Sequence, residues 1–232
     1  MGIFLSVTSV VGKPKSDVVN SLSKYTISTG GGLKEETLSI ENNNCCIIAE
    51  SDGNTTIFNS YAYNEWDASS EFISRDLNAP VFSFHIHDGD LWMYILFENG
   101  VATDQFNPIP DYWDDNISEP EIESWKGNAA VVSNLSGTLK PNEIERYLVR
   151  WDLDAQDVPK AYPDDQYGQE DWQLLDFMRR LRLPYPLNND DLPQGQTYKI
   201  WTRDLPLEPN ASETSQVKLS DKKSAKPWWR LW

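Results

Sequence analysis

The chain has 232 residues, 39% of them hydrophobic, with 10 Trp, 2 Cys and a formal net charge of −16. That is enough apolar material for one compact body, and no apolar run nears the roughly 18 residues of a membrane-spanning helix, so stable membrane insertion is not expected. An acidic body repels phosphate backbones and anionic lipid and attracts cations, which argues against nucleic acid and for a basic protein as partner.

Residues 2–11 alternate and are rich in β-branched types, the pattern of a strand. The positive charges at Lys13 and Lys15 come after this apolar stretch, whereas a secretory signal needs them before it. The reading is cytoplasmic. Ser16 is placed to cap a helix with Val18, Val19, Leu22 and Tyr25 on one stripe. After Gly30, Gly31 and Gly32 come strand candidates near 33–40, 45–50 and 55–60, with Asp52-Gly53-Asn54 as a hairpin signal. Cys45 and Cys46 are neighbours on one of them and point to opposite faces, so they are poorly placed to bridge, which suits a reducing compartment. A second helix is expected over 65–78, with Trp66, Ser69, Ile73 and Leu77 at helical spacing.

Residues 81–107 read as a three-stranded meander. Asp88-Gly89 and Asn99-Gly100 both suit two-residue turns that need positive φ. With those loops, His85 pairs with Trp92, Ser83 with Tyr94, and Tyr94 with Gln105. Phe82, Phe84, Ile86, Leu91, Met93, Ile95, Phe97, Ala102 and Phe106 then form an apolar side. Ser83, His85, His87, Asp90, Trp92, Tyr94, Thr103, Gln105 and Asn107 form the side expected to carry a site, with His85 stacked on Trp92.

The order strand, helix, three strands, helix, three strands suggests a duplicated helix-plus-three-strand unit. It resembles the paired βαβββ modules of the glyoxalase and vicinal-oxygen-chelate superfamily, which takes His or Glu metal ligands from the first and last strands of its modules. Residues 2–11 contain neither, so the likeness brings no catalytic residue with it.

Beyond Asn107 the texture changes. Residues 108–116 form an acidic, aromatic connector, and Ser118 with Glu121 makes a capping box for a helix running to about Leu135. Pro141 suits the start of another helix with Ile144, Tyr147, Leu148 and Trp151 inward, and 169–182 a further one with Leu174, Leu175, Met178 and Leu181. Residues 197–202 make a last strand candidate. Acidic clusters at Asp152/Asp154/Asp157, Asp164/Asp165 and Asp190/Asp191 read as solvated loops, and the calcium-loop pattern that starts at Asp152 lacks its turn glycine. The expected architecture is α+β, a mostly antiparallel sheet from 1–107 covered by the helical region 108–207, with a flexible linker and basic-aromatic tail over 208–232.

The sequence supports two functional readings. The first is a non-enzymatic acidic interaction protein, of the immunity or regulatory type, that binds a basic protein partner through Trp92, Tyr94, Asp111, Tyr112, Trp113, Asp114 and Asp115, without a cofactor. The second is a metal-dependent hydrolase or oxygenase in which His85, His87 and Asp90 hold a divalent transition metal. Two imidazoles spaced i, i+2 on a strand stand about 6.5 Å apart along the backbone, within reach of one ion. The tail, with Trp228, Trp229, Arg230 and Trp232, reads as a peptide that docks on a partner, a plug for the acidic body, or an interfacial membrane tag.

Overall fold

A computed structural model describes residues 4–60, 62–87, 91–114, 116–151, 172–188 and 193–207. Its centre is an eight-stranded antiparallel sheet in the order β2-β8-β3-β4-β1-β5-β6-β7. The strands are β1 Leu5–Val10, β2 Gly32–Glu35, β3 Cys45–Ser51, β4 Asn54–Asn59, β5 Val81–His87, β6 Leu91–Glu98, β7 Val101–Phe106 and β8 Gln196–Trp201. The first seven alternate with α1 Lys15–Ser28 and α2 Trp66–Leu77 in the order read from the sequence; β8 arrives late and inserts between β2 and β3. Gly31 and Gly195 make that insertion possible: a Cβ would stand 1.8 Å from the Trp201 carbonyl oxygen at the first and 2.4 Å from that of Ile48 at the second.

Both faces of the sheet are buried. On one, Phe82, Phe84, Trp92, Tyr94, Leu96 and Phe106 pack with Val132, Ile144, Tyr147, Leu174 and Phe177. These last belong to the helical region that includes α4 Ala129–Ser136, α5 Pro141–Glu145 and α6 Trp172–Arg180. On the other, Val10, Ile48, Ile57, Val81 and Ile200 pack with Val18, Leu22 and Tyr25 of α1 and Trp66 and Ile73 of α2. α2 is fastened at its far end as well, where the Ser74 hydroxyl donates to the Ala79 carbonyl at 2.9 Å and accepts from the Gly100 amide at 3.2 Å.

Burial on both sides explains the main departure from the sequence-based expectation. When one face is wet, hydrophobic alternation sets register; the β6 run LWMYILF is apolar at every position and fits either register. Three residues, 88–90, separate the paired His87 and Leu91, and the register is one position away from that expected: His85 pairs with Met93, Ile86 with Trp92, and Phe84 with Tyr94. Trp92 and Tyr94 therefore turn into the core beside Phe84, while Ser83, His85 and His87 lie opposite, under α2. The Asp88-Gly89 turn itself is outside the described residues. At the second hairpin the two-residue turn is as read, with Asn99 at φ 54° and Gly100 at φ 75° and Glu98 paired with Val101. A bulge then leaves Thr103 unpaired, so Tyr94 meets Phe106 rather than Gln105.

Two helix boundaries also differ. α1 begins at Lys15 after Pro14, not at a Ser16 cap, and the Lys15 amide donates to Glu50 Oε2 at 2.7 Å. The helix expected over 118–135 is two, α3 Glu119–Ser124 and α4, because Gly127 at φ 73° turns the chain; a Cβ there would stand 2.9 Å from Leu148. Among the described residues no helix is long and apolar enough to cross a membrane.

Candidate functional site

The register places both histidines of the chain in one cleft of about 500 Å³, at the end of the sheet where α2 begins. Three segments build it: Phe4, Leu5 and Ser6 at the start of β1; Ser60, Ala62, Tyr63 and Asn64 after β4 together with Trp66 of α2; and His85 and His87 at the end of β5. Antiparallel pairing sets Ser6 directly opposite His85. Trp66, the first residue of α2, lies parallel on the His85 ring at 4.7 Å with an interplanar angle of 3°. The stack expected on Trp92 is thus made by a different indole, since Trp92 points to the opposite face.

Burial dominates the electrostatics. Loss of solvent holds the His85 imidazole down at about 3, the nearby His87 contributes in the same direction, and hydrogen bonding to the Leu5 backbone opposes both, so His85 is neutral at pH 7. Next to it under α2 lies a polar layer. Thr8 Oγ1 and Ser70 Oγ are 2.9 Å apart, and Asn59 Nδ2 donates to Thr8 Oγ1 at 3.4 Å. Asp67 comes directly after Trp66 on α2. Burial pushes its carboxyl up to about 7, and the Ser83 hydroxyl only partly opposes this. Asp67 Oδ1 and Ser83 Oγ are both shut off from solvent without a well-formed hydrogen bond among the described residues.

His87 joins the cleft to the acidic connector. Its ring meets Phe4 edge-on at 4.7 Å, Trp113 at 5.0 Å and Tyr112 at 5.8 Å. Tyr112 is 46% exposed, Asp111 and Asp114 are exposed on either side, and Trp113 is half-buried against the core. Histidines and connector, expected as separate features, thus form a single cleft and rim. Trp92 and Tyr94 are not part of it. Both are 0% exposed, and the Tyr94 hydroxyl donates to Oδ2 of the half-buried Asp104 at 2.7 Å, so burial rules them out as contacts for a partner. Asp115, Asp90, the acidic clusters of 152–165 and 190–191, and Trp228, Trp229, Arg230 and Trp232 lie outside the described residues.

For a metal, the two imidazoles stand with ring centroids 6.1 Å apart on one wall, and among the described residues no group of three His, Cys, Asp or Glu could hold an ion. Reading the sequence missed Phe4, Ser6, Ser60, Asn64 and Trp66 as cleft residues. Trp66 carries the helical spacing of a core residue, and no local pattern shows that β1 lies beside β5. Comparison of the chain with protein families, with characterised proteins and with solved structures finds no match.

Proposed function

We propose that the protein is a non-enzymatic binding protein for a basic protein partner, engaged by the acidic, aromatic rim at Asp111, Tyr112, Trp113 and Asp114 and by the cleft at its foot. The observation that carries this reading is the junction at His87: an exposed tyrosine flanked by carboxylates sits at the mouth of a cleft whose lining, among the described residues, includes no Lys or Arg. A neutral His85 adds no positive charge at pH 7. The net charge of −16 supports it by drawing cationic chains toward the surface. An aromatic anchor ringed by charge is the usual make-up of such a contact. Two free, buried thiols support a reducing, cytoplasmic setting.

Affinity for a lysine-rich polypeptide, measured across a salt series, tests the reading. Binding should weaken at least roughly tenfold between 0.05 and 0.5 M salt, as screening shortens the reach of surface charge, and Asp111→Asn with Asp114→Asn should weaken it further at low salt. No binding, or binding indifferent to ionic strength, contradicts it.

One observation favours the metal-dependent alternative, the placement of His85 and His87 on one cleft wall. Elemental analysis separates the two readings. A stoichiometric transition metal that disappears in His85→Ala would replace the first reading with the second.

A further inference from the structure

We propose that the cleft and its rim accept this chain's own residues 218–232, so that the basic, tryptophan-rich segment competes there with a basic partner. This rests on the reading of the rim as a surface for basic chains and adds its regulation.

The place where the described chain stops, the charge of residues 218–232 and the size of the cleft all point to this occupant. Asn44 Nδ2 donates to the Ile200 carbonyl at 2.9 Å and to the Pro206 carbonyl at 3.3 Å. The carbonyl of the adjacent Asn43 accepts from the hydroxyl of Ser60, which lines the cleft. Thr202 Oγ1 donates to Oε1 of Glu65 at 3.0 Å, and Glu65 immediately precedes Trp66. Pro206, next to Leu207, is therefore within two hydrogen-bonded steps of the cleft wall. Twenty residues lie between Leu207 and Trp228. As a coil they would span roughly 25 Å, which is ample for a return to a cleft so near and gives a local concentration on the order of millimolar.

Charge selects the same occupant. Residues 218–232 carry five basic side chains and one acidic, leaving 15 basic against 35 acidic in the rest of the chain, a net −20. A cleft of about 500 Å³ has room for an indole beside the Trp66 and His85 stack. An indole from Trp228 or Trp229 seated there brings Lys226 and Arg230, at most three residues away, toward the Asp111 and Asp114 carboxylates.

The test uses the full chain. Its two histidines both line the cleft, so their imidazole C–H proton signals report on that place alone. Cys45 and Cys46 are buried, and burial pushes both thiols up, so a Ser224→Cys variant takes a nitroxide label at a single position. At low salt the label should cut both histidine signals several-fold, independently of protein concentration. Reduction of the nitroxide, 0.5 M salt, or Trp228→Ala, Trp229→Ala and Trp232→Ala together should restore them. Histidine signals untouched by the label overturn the proposal, and so does broadening that grows with protein concentration, which would assign the segment to a second copy. Adding the lysine-rich polypeptide to the same sample separates the two ideas. If it shifts the histidine signals while the label leaves them sharp, the segment is excluded and the binding reading stands. If the label broadens them and no polypeptide binds even to the triple tryptophan variant, the segment occupies the cleft and the binding reading falls.

Discussion

Toward α6 the sheet presents rings. Phe177 meets Tyr94 at 5.9 Å, Phe84 at 6.1 Å and Trp92 at 5.3 Å, and the hydroxyl of Tyr94 is satisfied by Asp104. Toward α2, β1 and β5 present Thr8, Ser83 and His85 to Ser70, Asp67 and Trp66, and burial acts against the charged forms of Asp67 and His85 alike. One side maximises apolar contact. The other buries groups that reduce stability at some pH, and the cleft opens on that side. Buried polar groups of this kind cost stability, which is why the proposed binding role is placed on that side.

Cutting the aromatic side should have the largest effect. Phe177→Ala removes the ring shared by Phe82, Phe84, Trp92, Tyr94 and Tyr147 and should cost about 3–5 kcal/mol in urea unfolding. A loss below about 1 kcal/mol would mean that α6 is not packed as described.

Acid and base reveal the polar side. Folding raises the Asp67 carboxyl from 3.8 to about 7, so the folded state keeps a proton that the unfolded chain releases. Stability from this group is full below pH 4 and falls as pH rises to 7, by up to roughly 4 kcal/mol at 1.36 kcal/mol per unit. Folding lowers His85 from 6.5 to about 3, so its contribution is full above pH 6.5 and falls on acidification. The two slopes oppose each other between pH 4 and 6.5. Asp67→Asn should leave a protein that is more stable than the parent at pH 8 and loses stability on acidification below pH 6.5. His85→Gln should leave one whose stability falls as pH rises from 4 to 7. Parallel curves for parent and variants would show that neither group is buried as placed here.

A smaller effect tests the junction of β1 with α2. Thr8→Val and Ser70→Ala should each cost about 1 kcal/mol, and the double variant should show a coupling of roughly 0.5–1.5 kcal/mol across their 2.9 Å contact. Additive losses would place the two hydroxyls apart.

Much of the fold was legible in the sequence. The strand and helix order to β7, the Asn99-Gly100 turn and the Ser118 with Glu121 capping box all rest on local chemistry, and all are present. What was not legible depends on long-range facts. The register of β6 needs knowledge that both faces are covered, the place of β8 depends on a partner some 150 residues away in β3, and the break at Gly127 depends on Leu148. For the candidate cleft and rim, residue type singles out His85, His87, Asp111, Tyr112, Trp113 and Asp114, and the structure brings His87 next to Tyr112 and Trp113. Trp92 and Tyr94 were misplaced by the single-residue slip, which turns every side chain over.

Whether partners meet the cleft under α2 and the acidic rim beside His87 is tested most directly by hydrogen exchange of the full chain with and without a lysine-rich polypeptide. Salt-sensitive protection is expected at 62–66, 85–87 and 111–114, with no change over α6. Protection confined to α4 and α6, or absent throughout, would contradict it.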